Sequence, residues 1–210
     1  MNEPLVSVII PTYERAELLL TRSIPSVMAQ TYQNWELRIV GDGATREVLA
    51  AMATLSDPRI HFENRPRQDY PEDKWAMWNC KGSQAINYGL DTALGEYTCT
   101  LGDDDELMPN FIESLLRAIQ ENDWDACYGR SEIVGHGFLG SWPPRLGAQT
   151  NDMLWLAGPL RHDPKCYLRG VPNDWDFLNR LMESGYLFGH IREVLYRYHP
   201  AFSIPGCDPV

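Results

Sequence analysis

The sequence predicts an α/β protein with a mainly parallel sheet and helices on both faces. Short β-branched runs alternate with segments of helical period, and polar or acidic residues directly follow three of these runs. A nearly continuous apolar run such as residues 5–10 is typical of a strand buried on both faces, as in parallel sheets. Strands that alternate with helices imply parallel strands joined by crossover connections.

Each element is predicted from its own pattern. The predicted strands are residues 5–10, 35–40, 59–62, 97–101, 124–128 and 193–198. The predicted helices are residues 15–30 (with a kink at Pro25), 48–55, 83–94, 111–119 and 173–182. Residues 63–81 are polar and contain two prolines, so we expect a long loop there. Residues 135–170 contain six glycines and are expected to be irregular, and the tail after Phe202 is expected to be disordered.

Composition narrows the classes of function. The chain has 210 residues and a formal net charge of -11, from 18 Lys+Arg and 29 Asp+Glu. This balance argues against nucleic acid or an anionic membrane as the main partner. The five cysteines are widely spaced, which argues against a disulfide framework or a structural zinc site. With neither a signal-peptide pattern nor an apolar run of membrane-spanning length, we expect a cytoplasmic protein without an integral membrane segment.

Three polar groups follow predicted strands, and ligands of open parallel sheets bind beyond the carboxyl ends of the strands. The groups are Pro11-Thr12-Tyr13-Glu14, Gly41-Asp42-Gly43 and Asp103-Asp104-Asp105. Each also has a structural explanation, because Thr12 could cap a helix and an Asp-Gly pair is common in turns. Their coincidence at three strand ends favours one ligand-binding crevice.

The three consecutive aspartates indicate a site for a hard cation. Adjacent carboxylates repel one another, and folding around them is costly unless a cation or solvent takes up the charge. Oxygen ligands of this kind suit Mg2+ or Mn2+. The alternative is a solvated acidic turn that caps the helix beginning near Pro109.

The order of the motifs resembles family 2 glycosyltransferases. The matching segments, over about residues 5–130, are VSVIIPTY (6–13), SVMAQTY (26–32), WELRIVGDGAT (35–45), GSQAINYG (82–89), ALGEY (93–97) and LGDDD (101–105). This resemblance implies the GT-A fold, which is Rossmann-like, a nucleotide-sugar donor and inverting transfer, in a single domain (1–210). Residues 1–130 would then bind the nucleotide sugar and residues 131–210 the acceptor.

The resemblance also implies roles for single residues. Asp104 matches the main metal ligand, Asp103 lies near the ribose or the metal, and Asp105 could compensate for a missing acid. Asp42 matches the carboxylate that reads the base. The remaining donor-site positions that the resemblance assigns are Pro11, Thr12, Tyr13 and Asn87.

Three positions depart from the family pattern by lacking an acid. Gly102 occupies the first position of the usual Asp-x-Asp motif, Gly41 replaces the first acid of Asp-Asp-Gly, and Asn173 replaces the Glu of a Glu-Asp pair. A catalytically inactive nucleotide-sugar-binding module therefore stays open as an alternative. A nucleotidyltransferase fits less well, because residues 11–15 lack the glycines of its loop.

The Glu-Asp pair of the family carries the general base, which makes Asp174 the candidate base and Asp176 its competitor. An acid in the first helical turn could also serve only to stabilise the helix, through the helix dipole. Other residues could contact donor, metal or acceptor, or be structural: Trp75, Trp78, Arg65, Arg67, Lys81, His136, His162 and His199.

The predicted function is metal-assisted transfer of a sugar from a nucleotide-diphosphate sugar, with Mn2+ or Mg2+ as cofactor. A UDP-sugar is favoured over a GDP- or dTDP-sugar. The acceptor is a hydroxyl of a saccharide, a lipid-linked sugar or another molecule, as in polysaccharide biosynthesis. The sequence leaves the sugar and the acceptor open.

Overall fold

The structure, a computed structural model, describes residues 3–139 and 150–200. Its strands are β1 (Val6–Thr12), β2 (Trp35–Asp42), β3 (Ile60–Arg65), β4 (Tyr97–Thr100), β5 (Glu106–Leu107), β6 (Ala126–Ile133), β7 (Gly137–Leu139), β8 (Met153–Leu156) and β9 (Phe188–Tyr198). Its α-helices are α1 (Ala16–Leu18), α2 (Ile24–Met28), α3 (Arg46–Met52), α4 (Lys74–Cys80), α5 (Ser83–Thr92), α6 (Phe111–Asn122) and α7 (Asn173–Glu183). The predicted α/β class is confirmed.

These strands form one nine-stranded sheet in the order β3-β2-β1-β4-β8-β6-β9-β5, with β7 paired to β6. The first four strands in this order are parallel, and Thr12 at the end of β1 lies opposite Gly41 of β2. The apolar residues of β1 are fully buried, as expected for a strand covered on both faces. The carboxyl ends of β1, β2 and β4 therefore meet at one edge of the sheet.

The helical segment after β1 is interrupted rather than smoothly kinked. A π-helical turn, Leu19–Ser23, separates α1 from α2, and Pro25 lies in the first turn of α2, where its missing N–H costs little. The π turn faces the acidic residues after β4, since Ser23 Oγ donates to the Gly102 carbonyl at 3.0 Å. Such turns are frequent at functional sites.

The prediction of a structureless loop over residues 63–81 is wrong, because α4 lies within it. The Asp73 side chain caps α4 by accepting from the Ala76 N–H at 2.8 Å, which satisfies one of the free donors at a helix start. The prolines at 66 and 71 precede this cap, so they leave the helix undisturbed.

The prediction that residues 135–170 are irregular is wrong for the strands within it. The buried strand β8 inserts antiparallel between β4 and β6 and so joins the parallel part of the sheet to the later strands. Residues 140–149 of this segment, and the predicted disordered tail, lie outside the described residues. The last strand, β9, begins five residues earlier than predicted and runs parallel to β6.

The core lies between the sheet and its helices. Its largest fully buried side chains include Trp35, Trp155, Phe111 and Phe177. The α6 helix is strongly amphipathic and buries its apolar face, whereas its polar face stays in solvent. Over residues 3–139 and 150–200, none of the helices combines the length and the apolar character that crossing a membrane requires.

Candidate active site

The end of β1 is joined directly to the acidic residues after β4. Thr12 Oγ1 donates to Asp103 Oδ2 at 2.9 Å. Arg15 Nη1 lies 3.0 Å from Asp103 Oδ1 and 2.5 Å from Asp104 Oδ2, so one guanidinium nitrogen bridges both carboxylates. Arg22 Nη1 donates to the backbone carbonyl of Asp104 at 2.6 Å and thereby holds the turn itself. We call residues 102–105 the acid turn.

Asp105 is bonded differently from its two neighbours. The Tyr196 hydroxyl donates to Asp105 Oδ2 at 2.6 Å, and the His199 backbone N–H donates to Oδ1 at 2.8 Å. Burial, reinforced by the charge of Asp104, raises the pKa of Asp105 to about 7. Both oxygens thus anchor the acid turn to β9 and its end, and the assignment of Asp105 as a metal ligand stays a prediction.

The glycine at position 102 follows from the same arrangement. A Cβ on Gly102 would lie 2.6 Å from Asp105 Oδ2, which is closer than real Cβ contacts allow. The acid that the family carries at this position therefore has no room while Asp105 points inward. Of the acid turn, Asp103 and Asp104 are left facing the crevice.

Asp42 lies in a second cluster, at the end of β2. Its Oδ1 accepts from the Gln68 backbone N–H and its Oδ2 from the Tyr70 hydroxyl, both at 2.6 Å. The Arg67 guanidinium donates to the Asp42 carbonyl at 3.0 Å and stacks on the Tyr13 ring, 3.5 Å from its centroid. The loop after β3 therefore folds over the strand ends, and Tyr13 connects this cluster to Thr12.

Gly41 also has a packing explanation. A Cβ there would lie 2.4 Å from Asn64 Oδ1, the atom that accepts from the Ala44 N–H at 2.8 Å. The Asn64 side chain thus occupies the space next to Gly41 and satisfies a backbone donor of the turn.

The candidate base lies at the start of α7, which is tied to the donor side of the sheet. Asn173 Nδ2 donates to the Lys81 carbonyl at 3.1 Å and to Ser83 Oγ at 3.0 Å. Burial raises the pKa of Asp174 to about 6, although its carboxylate accepts from the Trp175 N–H at 2.7 Å. Asn173, which replaces the family Glu, is therefore an anchor between α7 and α5.

The pKa of the Tyr198 hydroxyl is affected by the charges of both the acid turn and Asp174. Burial raises the pKa of Tyr198, and the charges of Asp105, Asp104 and Asp174 raise it further. Charges act on a partly buried group in this way only over short distances. Tyr198 ends β9, and the backbone N–H of the next residue, His199, bonds to Asp105 of the acid turn.

Asp176, the competitor for the role of base, is held in ion pairs. Its Oδ1 pairs with Arg169, and its Oδ2 accepts from Arg180 Nε at 2.9 Å. Arg169 also pairs with Asp163 at 2.8 Å. Guanidinium groups thus occupy both oxygens of Asp176, so this geometry favours Asp174 for contact with an acceptor hydroxyl.

Asn87 bonds to the backbone of His162. Its Nδ2 donates to the His162 carbonyl at 2.8 Å, and its Oδ1 accepts from the His162 N–H at 2.7 Å. Both ends of the amide are therefore used, and its assignment to the donor site stays a prediction. The His162 ring is buried against Phe177, with centroids 4.3 Å apart, and burial lowers its pKa to about 3. Its burial removes it from contact with an acceptor in this conformation.

The remaining candidates lie at several places. Trp75 and Trp78 stack on each other with centroids 5.0 Å apart and are exposed. Arg65 pairs with Glu63 and covers the Tyr88 ring. His199 Nε2 lies 2.7 Å from Glu106 Oε2, so its ring already has a partner, whereas His136 is exposed in a turn.

Sequence reasoning missed two residues of this region. Arg15 is a basic residue three positions after Thr12. The need of the acidic residues after β4 for a cationic partner could have pointed to it. Asp152 is buried, accepts from Ser131 Oγ at 2.8 Å and has a pKa that burial raises to about 7, with the charge of Asp174 contributing. Nothing in its sequence context marks Asp152, because it follows a glycine-rich segment.

The carboxylates of the acid turn are the candidate ligands of a divalent cation. Among residues 3–139 and 150–200, no group of three or more His, Cys, Asp or Glu side chains forms a complete metal site. Asp103 and Asp104 nevertheless converge on one positive centre, the Arg15 nitrogen. Mg2+ is commonly bound by one or two carboxylates plus substrate phosphates. The two carboxylates fit that arrangement.

A mainly parallel sheet with helices on both faces and an acid turn at one strand end is the architecture of the GT-A fold, and solved structures share it. TarS from S. aureus, solved in complex with UDP, superposes with a TM-score of 0.73 at 14% identity, covering 93% of this chain and 60% of that chain. The mannosyltransferase PcManGT from Pyrobaculum calidifontis, solved with GDP-Man and Mn2+, gives a TM-score of 0.64 at 14% identity, covering 99% and 59%. At these identities the likeness concerns the fold.

Sequence comparison names the family. Residues 7–177 match the model of Glycosyl transferase family 2, and the chain belongs to this family. One relative is the Escherichia coli enzyme UDP-Glc:alpha-D-GlcNAc-diphosphoundecaprenol beta-1,3-glucosyltransferase WfgD, 31% identical over 140 residues, which are 66% of this chain and 50% of that protein. The chain spans about half or less of the length of curated relatives that it matches.

Proposed function

We propose that this chain carries the donor site and the catalytic residues of an inverting glycosyltransferase that moves a sugar from a nucleotide-diphosphate sugar to an acceptor hydroxyl. The observation that carries the proposal is that Asp103 and Asp104 lie together after β4, at the carboxyl edge of the sheet, while α7, which bears the half-buried Asp174, is bonded through Asn173 to the start of α5. In open α/β sheets, ligands bind at this edge.

The donor would lie across the ends of β1 and β2. Pro11, Thr12 and Tyr13 line the end of β1, and Asp42 would read the base from the end of β2. In this conformation Asp42 is bonded to Gln68 and Tyr70, so base binding would replace at least one of these bonds. The names of the relatives mention UDP-Glc, UDP and GDP-Man. We favour a UDP-sugar as donor.

Asp104, with Asp103, would hold the divalent cation, Mn2+ or Mg2+. The bound cation would neutralise charge on the diphosphate as it leaves. Thr12 fixes one Asp103 oxygen, so this carboxylate is oriented before the donor arrives. Such preorganisation lowers the cost of reorganisation during the reaction.

Asp174 would take the proton of the acceptor hydroxyl while its oxygen attacks the anomeric carbon from the face opposite the diphosphate. One bond to the anomeric carbon forms as the bond to the diphosphate oxygen breaks, which inverts the configuration. A carboxylate with a pKa of about 6 is ionised at neutral pH yet basic enough to accept a proton. The acceptor is a saccharide, lipid-linked or other hydroxyl, as in polysaccharide biosynthesis.

Donor binding and donor cleavage test this function separately. Thermal stabilisation is measured against UDP-, GDP- and dTDP-sugars with Mn2+, since a ligand at 100 times its dissociation constant stabilises by about 2.7 kcal/mol. Slow release of the nucleoside diphosphate is then followed for the donor that binds. Asp104→Asn is expected to abolish the Mn2+ dependence of both, whereas Asp91→Asn, at an exposed carboxylate of α5, leaves both unchanged.

A failure of donor cleavage and a failure of donor binding lead to different conclusions. If the chain binds a nucleotide sugar but never cleaves or transfers it, the protein is a binding module. If none of the nucleotide sugars stabilises the chain, the donor site itself is contradicted.

A further inference from the structure

A cation of the chain itself already lies between the two proposed metal ligands. The Arg15 Nη1 atom contacts Asp103 Oδ1 and Asp104 Oδ2 at once. The side chains of both aspartates are almost covered, at 12% and 14% exposure, whereas Arg15 keeps 29% of its side chain in solvent. The guanidinium thus reaches the two covered carboxylates on a long stem that is itself partly exposed.

This ion pair offsets a charge problem in the fold. Two neighbouring carboxylates at low exposure repel each other, and removing one partner of such an ion pair leaves the remaining charge uncompensated. An arginine side chain stays protonated in proteins, and one nitrogen of Arg15 contacts both carboxylates. Arg15 therefore stabilises the acid turn when no metal is bound.

We infer that Arg15 is an internal counter-ion that competes with the divalent cation for Asp103 and Asp104, and that it moves from these carboxylates to the diphosphate when the metal and nucleotide bind. The inference rests on the proposed function, since it takes Asp103 and Asp104 as the ligands of the cation. A metal ion at ligand distances of 2.0–2.1 Å, typical of Mg2+, needs the oxygens that Arg15 now occupies.

The exchange has a consequence for binding. Without nucleotide, the metal must displace Arg15 into solvent, so the metal alone binds weakly. With nucleotide, the displaced guanidinium gains the diphosphate, a favoured partner for its planar fork of donors. Arg15 therefore increases the coupling between metal and nucleotide, and so disfavours occupation of the acid turn by metal alone.

Arg22 supplies a matched control. It is also an arginine at the acid turn, but its Nη1 atom donates to the backbone carbonyl of Asp104 and leaves the carboxylate oxygens free. Arg22→Gln removes the same charge as Arg15→Gln without removing the competitor from the carboxylates. Any difference between the two variants therefore reports the contact and not the net charge.

The experiment measures Mn2+ affinity from the electron paramagnetic resonance signal of free Mn2+, with and without saturating UDP. Arg15→Gln is expected to bind Mn2+ alone about tenfold more tightly than the wild type, and the gain that UDP brings is expected to shrink by about the same factor. Arg22→Gln is expected to change the affinity for Mn2+ alone by less than about threefold.

Two outcomes overturn the inference while leaving the proposed function intact. In the first, Mn2+ binds with UDP, but Arg15→Gln binds Mn2+ alone no more tightly than the wild type. In the second, Arg22→Gln shows the same gain as Arg15→Gln. If no protein binds Mn2+ even with UDP, both the inference and the metal site fail. Should Arg15→Gln not fold, Arg15→Met is measured instead, because methionine keeps an unbranched stem and carries no charge. An Arg15→Met affinity for Mn2+ alone equal to that of the wild type then contradicts the inference.

Discussion

Two opposing effects act on the carboxylate of Asp174. Its place in the first turn of α7 exposes it to the helix dipole, which favours the ionised form. Burial favours the neutral form, and it dominates, because the pKa of Asp174 is raised to about 6. The sequence suggested the dipole effect alone. The structure adds the burial, which makes this aspartate a stronger base than an exposed one.

This balance predicts the pH dependence of transfer. Because a base accepts a proton only when it is ionised, kcat should be constant above about pH 6 and fall about tenfold per pH unit below it. Asp174→Asn should lower kcat by roughly 100- to 10,000-fold with donor affinity unchanged. Rates are measured from pH 5 to pH 8 at saturating donor and Mn2+.

Asp176→Asn is the control for this prediction. It breaks the ion pairs with Arg169 and Arg180, so it should lower stability, but it should keep the acid limb of the kcat profile. An unchanged kcat in Asp174→Asn, or a persisting limb near pH 6 in its residual activity, would falsify the assignment of the base.

At the scale of elements, a packing contact takes the place of the family's acid at each of the three positions that lack it. Asn64 of β3 occupies the space beside Gly41, the Asp105 carboxylate occupies the space beside Gly102, and Asn173 anchors α7 to the start of α5. Each missing acid thus coincides with a neighbour that uses its place. An acid lost by decay would leave a gap instead, so the packing weakens the case for an inactive module.

The strand end at Gly41 gives a test of this packing. Gly41→Ala should destabilise the fold by about 1–3 kcal/mol, because its Cβ would lie 2.4 Å from Asn64 Oδ1 and 2.8 Å from the Ala44 Cβ. Asn64→Ala alone should cost about 1 kcal/mol through the lost bond to the Ala44 N–H. The double variant should cost less than the sum of the two, as measured by urea unfolding. Strictly additive costs would show that the two side chains do not compete for space.

Short-range patterns predicted the elements that bear the site, and long-range contacts decided the rest. Continuous apolar runs predict that β1 and β2 are buried strands. The ends of these strands, with Thr12 and Asp42, could therefore be predicted from the sequence. The helix α4 has only seven residues behind two prolines, and the four residues of β8 acquire their role by pairing with β4 and β6. The partners of Asp42 and Asp105 come from distant segments and could not be predicted.

At the scale of the whole molecule, the residues before β8 link the two parts of the sheet. Asn151 Oδ1 accepts from Thr100 Oγ1 at the end of β4 at 2.8 Å, and Asp152 accepts from Ser131 Oγ of β6. The second oxygen of Asp152, Oδ1, is buried and has no hydrogen-bond partner in the described part of the chain. A buried carboxylate with one unsatisfied oxygen is costly when ionised, so the whole fold carries a pH-dependent cost at this position.

The sign of that cost can be predicted. Because burial raises the pKa of Asp152 to about 7, above its value in the unfolded chain, the folded state binds more protons than the unfolded state between about pH 4 and pH 7. The contribution of Asp152 to stability is therefore favourable at low pH and is lost as the pH rises through 7. Asp152→Asn cannot ionise and keeps an acceptor for Ser131, so it should be more stable than the wild type at pH 8, by about 1–3 kcal/mol.

The difference between the two proteins should shrink as the pH falls and vanish only towards pH 4, as measured by urea unfolding from pH 4 to pH 8. Asp91→Asn, at an exposed carboxylate, should show no such trend. A difference that is independent of pH, or that grows on acidification, would contradict the prediction.

Because Asp174 contributes to the raised pKa of Asp152, Asp174→Asn should also narrow the pH range over which Asp152 affects stability. A fold that tolerates this cost at neutral pH keeps two acidic groups, Asp152 and Asp174, beside its proposed catalytic edge.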